Sequence, residues 1–416
     1  MKKKRIILSI ALASISLFAI SSCGDNEEKS SSSIIESSSE EKKSSSSAEE
    51  KSSSVSSSDE EGTYTVTVYD IDGEKLSTYN IDIEKGKSFV DQLKENANVK
   101  YTDESWGTYI KAIDNSIEDG NYFLALYENN VASMVGVDQI QLDDGDVIDF
   151  KVECYNSSFT ETDKLVDKAV YQYLKKYLNN DFTNDTSFSK YWSYICYYLL
   201  GDNSTKYVTL NSDLSAYLDT YDVTSLSDTN YGKYYYTARA YGKNLDSFKT
   251  QYKTFLDGIT SPVGTYTIPF EVSFAKNLNI SSDIIDLVKD ANYDTEPSWG
   301  SYDGTNWYYV AQLACGKDAN TSFLTSISQA SYNNSTSLAI SLDSFAASGV
   351  NPNQSAYLKD GKSLVERLFD SYDEELGLIK YKTTDTSTEM STNQIYTSLI
   401  SYKAFRDSGK AVNYLA

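Results

Sequence analysis

The chain of 416 residues contains no histidine. This absence excludes Ser-His-Asp and Cys-His triads, zinc and haem sites with histidine ligands, and acid–base catalysis by imidazole. Cysteine is scarce too, and because none of the four cysteines lies in a Cys-x-x-Cys pair, a zinc ribbon is excluded. Only carboxylate, lysine or tyrosine chemistry remains available to an enzyme.

Basic residues are few compared with acidic ones. The sequence has 37 Lys and Arg against 60 Asp and Glu, a net charge of −23. Such a surface repels nucleic acid and anionic lipid, so neither is expected as a partner. Tyrosine, in contrast, is abundant, with 36 residues against 15 Phe. This density suits wet binding faces and the interiors of helical toroids, and compositional bias of the genome is the alternative explanation.

Residues 1–22 have the pattern of a secretory signal peptide. A basic start, MKKKR, precedes an apolar run at residues 6–20 that is too short for a permanent membrane helix. The small residues before Cys23 resemble a bacterial lipobox, which implies cleavage before Cys23 and a diacylglycerol on its sulfur. An ordinary signal peptide with a chance cysteine is the alternative. We therefore expect a protein that is lipid-anchored on the extracellular face of the cell membrane.

Residues 23–61 predict a disordered tether behind the lipidated cysteine. They consist of serine runs with acidic pairs and a few lysines, and Ile34, Ile35 and Val55 are nearly the only apolar side chains. Such a segment buries too little apolar surface to offset its ordering entropy. As a coil it would span roughly 35 Å, so it would lift the following domains away from the membrane.

Residues 62–155 predict a small β domain. Tyr64, Val66 and Val68 alternate with threonines, Asp72-Gly73 supplies a hairpin turn, and a second alternating strand follows. Residues 88–97 predict a short helix capped by Ser88, and three strand-like segments come after it. The order of elements favours a small α+β sandwich of β-grasp type.

The segments "GTYIKAIDN", "GNYFLALYENN" and "VGVDQIQLDDGDVIDFKV" resemble the C-terminal β domain of the cobalamin carriers transcobalamin and intrinsic factor. The residues that fit the family pattern are Gly107, Tyr109, Gly136, Asp138, Gly145 and Asp146. Where the family frequently has a tryptophan in the third strand, this chain has Tyr122 or Phe123. The usual Asn-Gly turn is Asn129-Asn130. The resemblance implies ligand contacts by Trp106 and Tyr109, for which packing in the core or rim is the alternative.

Residues 162–416 predict stacked helix pairs. A polar cap, an aromatic-rich helix and a stop residue recur at intervals of roughly 33–41 residues. The stop glycines are Gly201, Gly242, Gly316, Gly349 and Gly409, with Asn277 or Asn279 in place of one more. Six such pairs resemble the α/α toroid of terpenoid cyclases and prenyltransferases, which is also the α domain of the cobalamin carriers. An open helical solenoid is the alternative.

The expected function is capture of a small ligand between the two domains. Cobalamin or another corrinoid is the expected ligand. Cobalamin would be cargo for a transporter and not a cofactor. Because no histidine is present, the cobalt would keep its own ligands or take water. Besides Trp106 and Tyr109, the predicted ligand residues are Trp299 and the inner helix N-terminal residues Tyr191, Asn230, Tyr231, Asn306, Trp307, Thr336, Asn393 and Gln394. Capping and packing between helices are the alternative roles.

Other functions remain open. Trp106 and Trp299 both lie in Ser-Trp-Gly sequences that could face each other across a domain cleft, although coincidence is the simpler explanation. A surface adhesin or glycan-binding module fits the tether, the tyrosines and the acidic surface equally well. An enzyme is not expected, since "YDEEL" at residues 372–376 is more simply an exposed acidic helix end than a cyclase acid motif. We expect a monomer.

Overall fold

The computed structural model describes residues 62–116, 120–201, 208–261, 267–292, 302–382 and 389–416. The predicted signal peptide, lipidated Cys23, tether and Trp299 lie outside these residues. The chain divides into two units, Met1–Asp59 and Glu60–Ala416. The second unit contains both the β domain and the helical region.

The β domain begins with the alternating pattern predicted from Tyr64, Val66 and Val68, whose side chains are buried. Its elements are β1 Thr63–Tyr69, β2 Lys75–Asp82, α1 Phe89–Asn96, β3 Val99–Glu104, β4 Gly107–Ile113, β5 Tyr122–Glu128, β6 Val131–Ala132 and β7 Val147–Cys154. The Ser88 side chain caps α1 by accepting a hydrogen bond from Asp91 N–H, as predicted. The strands β3 and β6 were not expected from the sequence.

A five-stranded sheet holds this domain together, in the order β2-β1-β7-β5-β6. Strands β1 and β7 pair in parallel, while β2 and β5 pair with them antiparallel. Strands β3 and β4 form a separate hairpin. Phe89 and Leu93 of α1 join the same core as β1 and β7. The prediction of a small α+β domain is therefore confirmed.

The rest of the chain is mainly helical. Its helices are α2 Glu161–Tyr173, α3 Asn179–Asn184, α4 Tyr191–Leu200, α5 Ser212–Thr220, α6 Asn230–Ala240, α7 Asp246–Gly258, α8 Ile268–Val272, α9 Asp283–Asp290, α10 Asp303–Ala314, α11 Thr321–Gln329, α12 Ser335–Ser348, α13 Leu364–Phe369 and α14 Glu389–Ser408. A π-helical segment, Leu174–Leu178, joins α2 to α3.

Six of these helices are neighbours in cyclic order. Helix α4 contacts α6, which contacts α8, and the series continues through α10, α12 and α14 back to α4. We call this set the ring helices. The residues predicted to stop them have positive φ angles, including the five glycines and Asn279. Gly349 shows why: it lies at φ 66°, ψ 30° after α12, a left-handed conformation that costs least for glycine.

Many of the tyrosines that the structure describes are buried. Of the twelve largest fully buried side chains, eleven are tyrosines. Several of their hydroxyls find partners inside the protein: Tyr252 donates to the Glu271 carbonyl at 2.6 Å and Tyr173 to Asn393 at 2.9 Å. The Tyr64 hydroxyl, in contrast, is buried with no partner among the described residues. Burial explains why the pKa of Tyr252 lies well above its usual value. The buried tyrosines are therefore core residues with a polar end.

One local prediction is wrong. Residues 372–376 do not end a helix: Tyr372–Asp373, β8, pairs antiparallel with Leu378–Ile379, β9. Gly377 at φ 68° allows the tight reversal between them. No disulfide joins Cys154, Cys196 and Cys315 to one another. Among the residues that the structure describes, no helix is both long enough and apolar enough to cross a membrane.

Candidate functional site

The junction between the β domain and the helical region is built around the first turns of α2. Thr160 and Asp163 form a capping box, in which the Thr160 side chain accepts from Asp163 N–H and the Asp163 carboxylate accepts from Thr160 N–H. Asp167 lies one turn further along and is 2% exposed. Residues four apart share a helix face, so both carboxylates are directed to the junction.

Asp167 ties three parts of the chain together. Its carboxylate accepts hydrogen bonds from the Tyr122 hydroxyl at 2.8 Å and from Arg406 Nη2 at 2.6 Å, and it lies 2.9 Å from Lys403 Nζ. Burial alone would lower the pKa of Arg406, but the carboxylates of Asp167 and Asp407 outweigh burial and raise it. The β domain, α2 and α14 are therefore fixed relative to one another at this point.

Beside this network lies a cleft with a volume of about 360 Å³. We call it the interdomain cleft, because residues of the β domain, of the linker and of the helical region line it. Its lining consists of Asn121, Asn156, Ser158, Phe159, Asp163, Asn351, Asn353, Tyr402, Phe405, Arg406, Asp407 and Gly409. Ligand sites of proteins commonly have volumes of about 300–1,000 Å³ and lie at domain interfaces.

Asn353, which lines the cleft, has a side-chain oxygen without a hydrogen-bond partner among the described residues. Its Nδ2 donates to the Tyr402 hydroxyl at 3.0 Å, and that hydroxyl lies 3.4 Å from Asp163 Oδ1. Asn353 Oδ1 is buried, yet it has no hydrogen-bond partner among the described residues. An unpaired buried carbonyl oxygen costs free energy. Because this oxygen is closed to water, a ligand N–H or O–H in the cleft would supply the missing donor only after the Asn353 side chain turns toward the cleft.

The charged groups of the cleft already neutralise one another. Arg406 lies 2.8 Å from Asp407 and 3.8 Å from Asp163, and its guanidinium stacks 4.2 Å from the centre of the Phe159 ring. The groups that remain for a ligand are largely amides, hydroxyls and two phenyl rings. This chemistry suits an uncharged polar molecule with amide or hydroxyl groups and an apolar edge.

The residues predicted on the β domain lie at the β3–β4 hairpin. Trp106 is 70% exposed, and its ring meets that of Tyr109, 39% exposed, at 6.1 Å. Gly107 has φ 133°, and a Cβ there would lie 2.6 Å from Asp138 Oδ2. Asp138 also accepts a hydrogen bond from Thr108 N–H at 2.5 Å. The family-pattern residues Gly107 and Asp138 therefore fix the hairpin that presents Trp106.

Two residues predicted at helix N-termini belong to one aromatic cluster. Tyr191 of α4 and Trp307 of α10 both contact Phe270 of α8, with ring centres 5.7 and 5.3 Å apart. Trp192 stacks on Trp307 at 5.9 Å. Asn230 is half-buried at the start of α6. The structure thus brings Tyr191 and Trp307 together across the ring helices.

Asn306 and Thr336 are buried between helices. Asn306 is fully buried, donates to Ser341 Oγ at 3.0 Å and accepts from Ser344 Oγ at 2.7 Å. Its amide therefore joins α10 to α12. Thr336 is 7% exposed in the first turn of α12, and its Oγ1 has no hydrogen-bond partner among the described residues. A ligand role for either stays a prediction.

The remaining predicted residues are internal as well. Asn393 accepts from the Tyr173 hydroxyl at 2.9 Å and donates to Ser193 Oγ at 3.0 Å. Tyr231 is 1% exposed and is one of the aromatic residues that pack α6 on α7. Gln394 is 6% exposed. Asn393 and Tyr231 thus make contacts inside the protein, and a ligand role for these residues stays a prediction.

The segment after α14 lies inside the ring helices. Tyr414 is 1% exposed; its hydroxyl donates to Asp343 Oδ2 of α12 at 3.1 Å, and its ring meets Trp192 of α4 at 6.4 Å. The Tyr236 hydroxyl of α6 donates to the Tyr414 carbonyl. Asn413 Nδ2 donates to the Val310 carbonyl of α10 at 2.9 Å. This part of the ring interior is therefore filled by the chain itself.

One group of acidic side chains has the spacing of a metal site. Ligand oxygens of Asp70, Asp72 and Glu74 at the β1–β2 turn lie within 4.8 Å of one another. Burial and the neighbouring Asp72 raise the pKa of Asp70 to about 6. However, Lys175 Nζ lies 2.7 Å from Asp70 and 3.7 Å from Glu74. A metal ion would have to displace this ammonium group, so the cluster acts here as an ion pair between the two domains.

None of the predicted ligand residues that the structure describes lines the interdomain cleft. Asn353 follows the stop glycine Gly349 in "GVNPN", a segment that the sequence marks only as a polar turn. Asn121 begins a predicted strand, and Tyr402 lies in the final helix. Their meeting depends on contacts between distant parts of the chain. The residue pattern alone carries no signal for it.

Comparison with known proteins bears on the β domain. Residues 86–153 match a family described as a domain of unknown function, DUF4430, which is transcobalamin-like. A crystal structure of a candidate metal-binding protein from Ruminococcus gnavus ATCC 29149 is similar at 19% identity; the match covers 23% of this chain and 98% of that chain, with a TM-score of 0.21. No curated protein matches.

Proposed function

We propose that this protein is a cell-surface lipoprotein that captures a small, uncharged polar molecule in the interdomain cleft. The observation that carries the proposal is Asn353 Oδ1, a buried acceptor that has no partner among the described residues and belongs to a residue lining the cleft. Mutually paired charges and several amides around it favour ligands that carry amides or hydroxyls. The captured molecule would pass to a transporter.

A corrinoid is the first ligand to test. Its rim carries several carboxamide groups, which are the natural partners of the asparagine amides in the cleft. The cleft volume of about 360 Å³ suits such peripheral groups, with the macrocycle lying outside it. The transcobalamin-like β domain supports the same ligand class, although the family match ends at residue 153.

The cyclic contacts of the ring helices support an α/α toroid as the detailed fold of residues 162–416. In this arrangement the inner helices enclose an aromatic interior. The segment carrying Tyr414 fills part of that interior, so a ligand has more room in the interdomain cleft than at that level of the toroid. The anchor would be a lipid on Cys23, as proposed from the sequence.

Isothermal titration of the full chain against cyanocobalamin and cobinamide tests the ligand. Binding of both would place recognition on the corrin ring, whereas binding of cyanocobalamin alone would require its nucleotide loop. Asn353→Ala should weaken binding roughly tenfold through loss of one buried hydrogen bond, and the exposed Asn98→Ala serves as control. Heat from neither corrinoid, or equal binding by both variants, would contradict the proposal.

A surface adhesin is the second candidate, because one observation favours it. Several large apolar side chains of the β domain are exposed, with Trp106 70%, Val131 69% and Met134 96% exposed. Exposed apolar side chains that form a contiguous patch commonly mark contact sites for other macromolecules. Trp106→Ala would then abolish attachment of the protein to its partner surface while leaving cleft ligands bound.

A further inference from the structure

The β3–β4 hairpin carries three aromatic side chains at the surface of the β domain. Trp106 at its tip is 70% exposed, Tyr101 of β3 43% and Tyr109 of β4 39%. Exposed tryptophan and tyrosine are enriched at binding surfaces, because their rings offer a large contact area and have few rotatable bonds. The hairpin contributes no residue to the lining of the interdomain cleft.

The backbone that presents Trp106 is fixed on both sides. Glu104 pairs with Gly107 across the two strands, so the connection that carries Trp106 is short. Gly107 has φ 133°, and the next N–H, that of Thr108, donates to Asp138 Oδ2 at 2.5 Å. A site that is ordered before binding loses less conformational entropy when a ligand arrives.

The rings of Trp106 and Tyr109 form two walls of a corner. Their centres lie 6.1 Å apart, and their planes meet at 62°. We call this pair the aromatic corner. A flat sugar ring stacks best on one planar surface, whereas a compact, rounded group touches two tilted walls at once. The shape of the corner therefore favours a compact group.

The tip of the hairpin is electronegative. The face of an aromatic ring carries partial negative charge, and the exposed carboxylates of Asp103 and Glu104 lie on the strand end beside Trp106, with Asp138 against the other strand. The lysines of the hairpin, Lys100 and Lys111, lie toward its open end. Because the whole chain carries a net charge of −23, this tip attracts cations.

The third exposed ring of the hairpin already holds a cation of the protein. Lys94 Nζ of α1 lies over the Tyr101 ring, 3.6 Å from its centre. Among the described residues, no Lys or Arg lies over the ring of Trp106 or of Tyr109. Tryptophan is the aromatic side chain that attracts cations most strongly, so the aromatic corner suits a cation from outside the chain.

We propose that the aromatic corner binds a small, free organic cation of the trimethylammonium type. The methyl groups of such a cation would contact both rings, and Asp103 and Glu104 would attract its charge. A primary ammonium group fits less well, because it is strongly hydrated and the rings offer it no hydrogen-bond acceptor. This site is independent of the ligand proposed for the interdomain cleft, so the corrinoid titrations succeed or fail separately.

The test titrates the ¹⁵N-labelled full chain with choline chloride and follows the indole N–H resonance of Trp106, which is identified by its absence from Trp106→Ala. We expect a saturable shift with choline and none with sodium chloride at equal ionic strength. The neutral analogue 3,3-dimethylbutanol has the same shape without the charge. It should bind at least roughly threefold more weakly, the size of one exposed cation–π contact.

Three variants test the parts of the site. Tyr109→Leu keeps apolar bulk but removes one aromatic wall, and it should weaken choline binding roughly threefold. Glu104→Gln should weaken it roughly twofold, as expected for an exposed charge. Asp82→Asn, an equal charge change at an exposed position of β2, should leave it unchanged.

Four outcomes would overturn the proposal. The first is no shift of the Trp106 resonance with choline, and the second is equal binding of choline and its neutral analogue, which would show an apolar contact only. The third is unchanged choline binding by Tyr109→Leu, or equal weakening in Glu104→Gln and Asp82→Asn. The fourth is a shift with methyl glucoside or with phosphatidylcholine vesicles but not with free choline, which would assign the hairpin to a glycan or to a lipid surface.

Discussion

The Tyr122 hydroxyl, at the start of β5, donates a 2.8 Å hydrogen bond to Asp167 Oδ2 in the first helix of the helical region. The same carboxylate accepts from Arg406 near the end of α14. Asp167 is almost fully buried, and a buried charge is tolerated only when it is paired and hydrogen-bonded. The position of the β domain on the helical region, and with it the shape of the interdomain cleft, therefore depends on this group.

Tyr122→Phe should loosen the junction. The substitution removes one hydrogen bond to a buried carboxylate and should lower the free energy of unfolding by about 1–3 kcal/mol. It should also speed proteolysis in the linker between the domains. Urea unfolding and limited proteolysis measure the two effects. Tyr127→Phe is the matched control, because the Tyr127 hydroxyl donates to Glu153 within the β domain. Equal linker cleavage in both variants would show that Tyr122 does not fix the junction.

Gly107→Ala should destabilise the hairpin that carries Trp106. Gly107 has φ 133°, and a Cβ added to it would lie only 2.6 Å from Asp138 Oδ2. Alanine would be strained in its backbone and would push against Asp138, so we expect a loss of about 1–3 kcal/mol. Gly136→Ala, at φ −74° with no atom within 4 Å of the added Cβ, should cost little. Thermal unfolding of both variants provides the comparison, and a similar loss in the two would refute the steric explanation.

Local elements could be predicted because their causes are local. Alternation placed Tyr64, Val66 and Val68 on the buried face of β1. The cap at Ser88 and the glycines after the ring helices depend on backbone chemistry within a few residues. The β8–β9 hairpin was missed because each strand has two residues, too few for a periodic signal, and because the acidic run before Gly377 resembles a helix end.

The candidate site could not be predicted in the same way. Asn121 and Asn353 reach the interdomain cleft from opposite parts of the chain, and what brings them together is the network around Asp167. The sequence pattern at the helix N-termini predicted Tyr231 and Asn393 as ligand residues, but both side chains are buried. A sequence shows that an asparagine begins or interrupts a helix, but its exposure depends on which helix packs over it.

The proposed anchor gives a prediction for cells. Cys23→Ala should abolish incorporation of labelled palmitate and move the protein from the detergent phase to the aqueous phase, because the thioether would have no sulfur to form on. Detergent partitioning of the wild type and the variant measures this. Cys315→Ala, which removes a thiol of the helical region, is the control and should keep the label. Full labelling of Cys23→Ala would remove that residue as the lipid site.

Asp343 makes the stability of the helical region depend on pH. Its Oδ2 accepts from Ser398 of α14 and from Tyr414 of the terminal segment, and Asp343 Oδ1 has no partner among the described residues. Burial raises the pKa of Asp343 to about 8, although the hydrogen bonds from Ser398 and Tyr414 oppose the shift. The carboxyl group is therefore protonated in the folded protein at neutral pH, and ionised in the unfolded chain, where the pKa is about 3.9.

The sign of the effect follows from proton binding. Between pH 4 and pH 8 the folded protein holds a proton at Asp343 that the unfolded chain has released, so this group's contribution is complete below pH ~4 and is lost as pH rises through ~8. The Asp343→Asn variant has no carboxyl group to ionise at this position. Its free energy of unfolding should therefore fall between about pH 5 and 8 by a few kcal/mol less than that of the wild type. Urea unfolding at both pH values measures it, with the exposed Asp318→Asn as control. An unchanged slope in Asp343→Asn would mean that Asp343 is already ionised in the folded protein, and that Tyr414 is held inside the ring helices by a buried carboxylate.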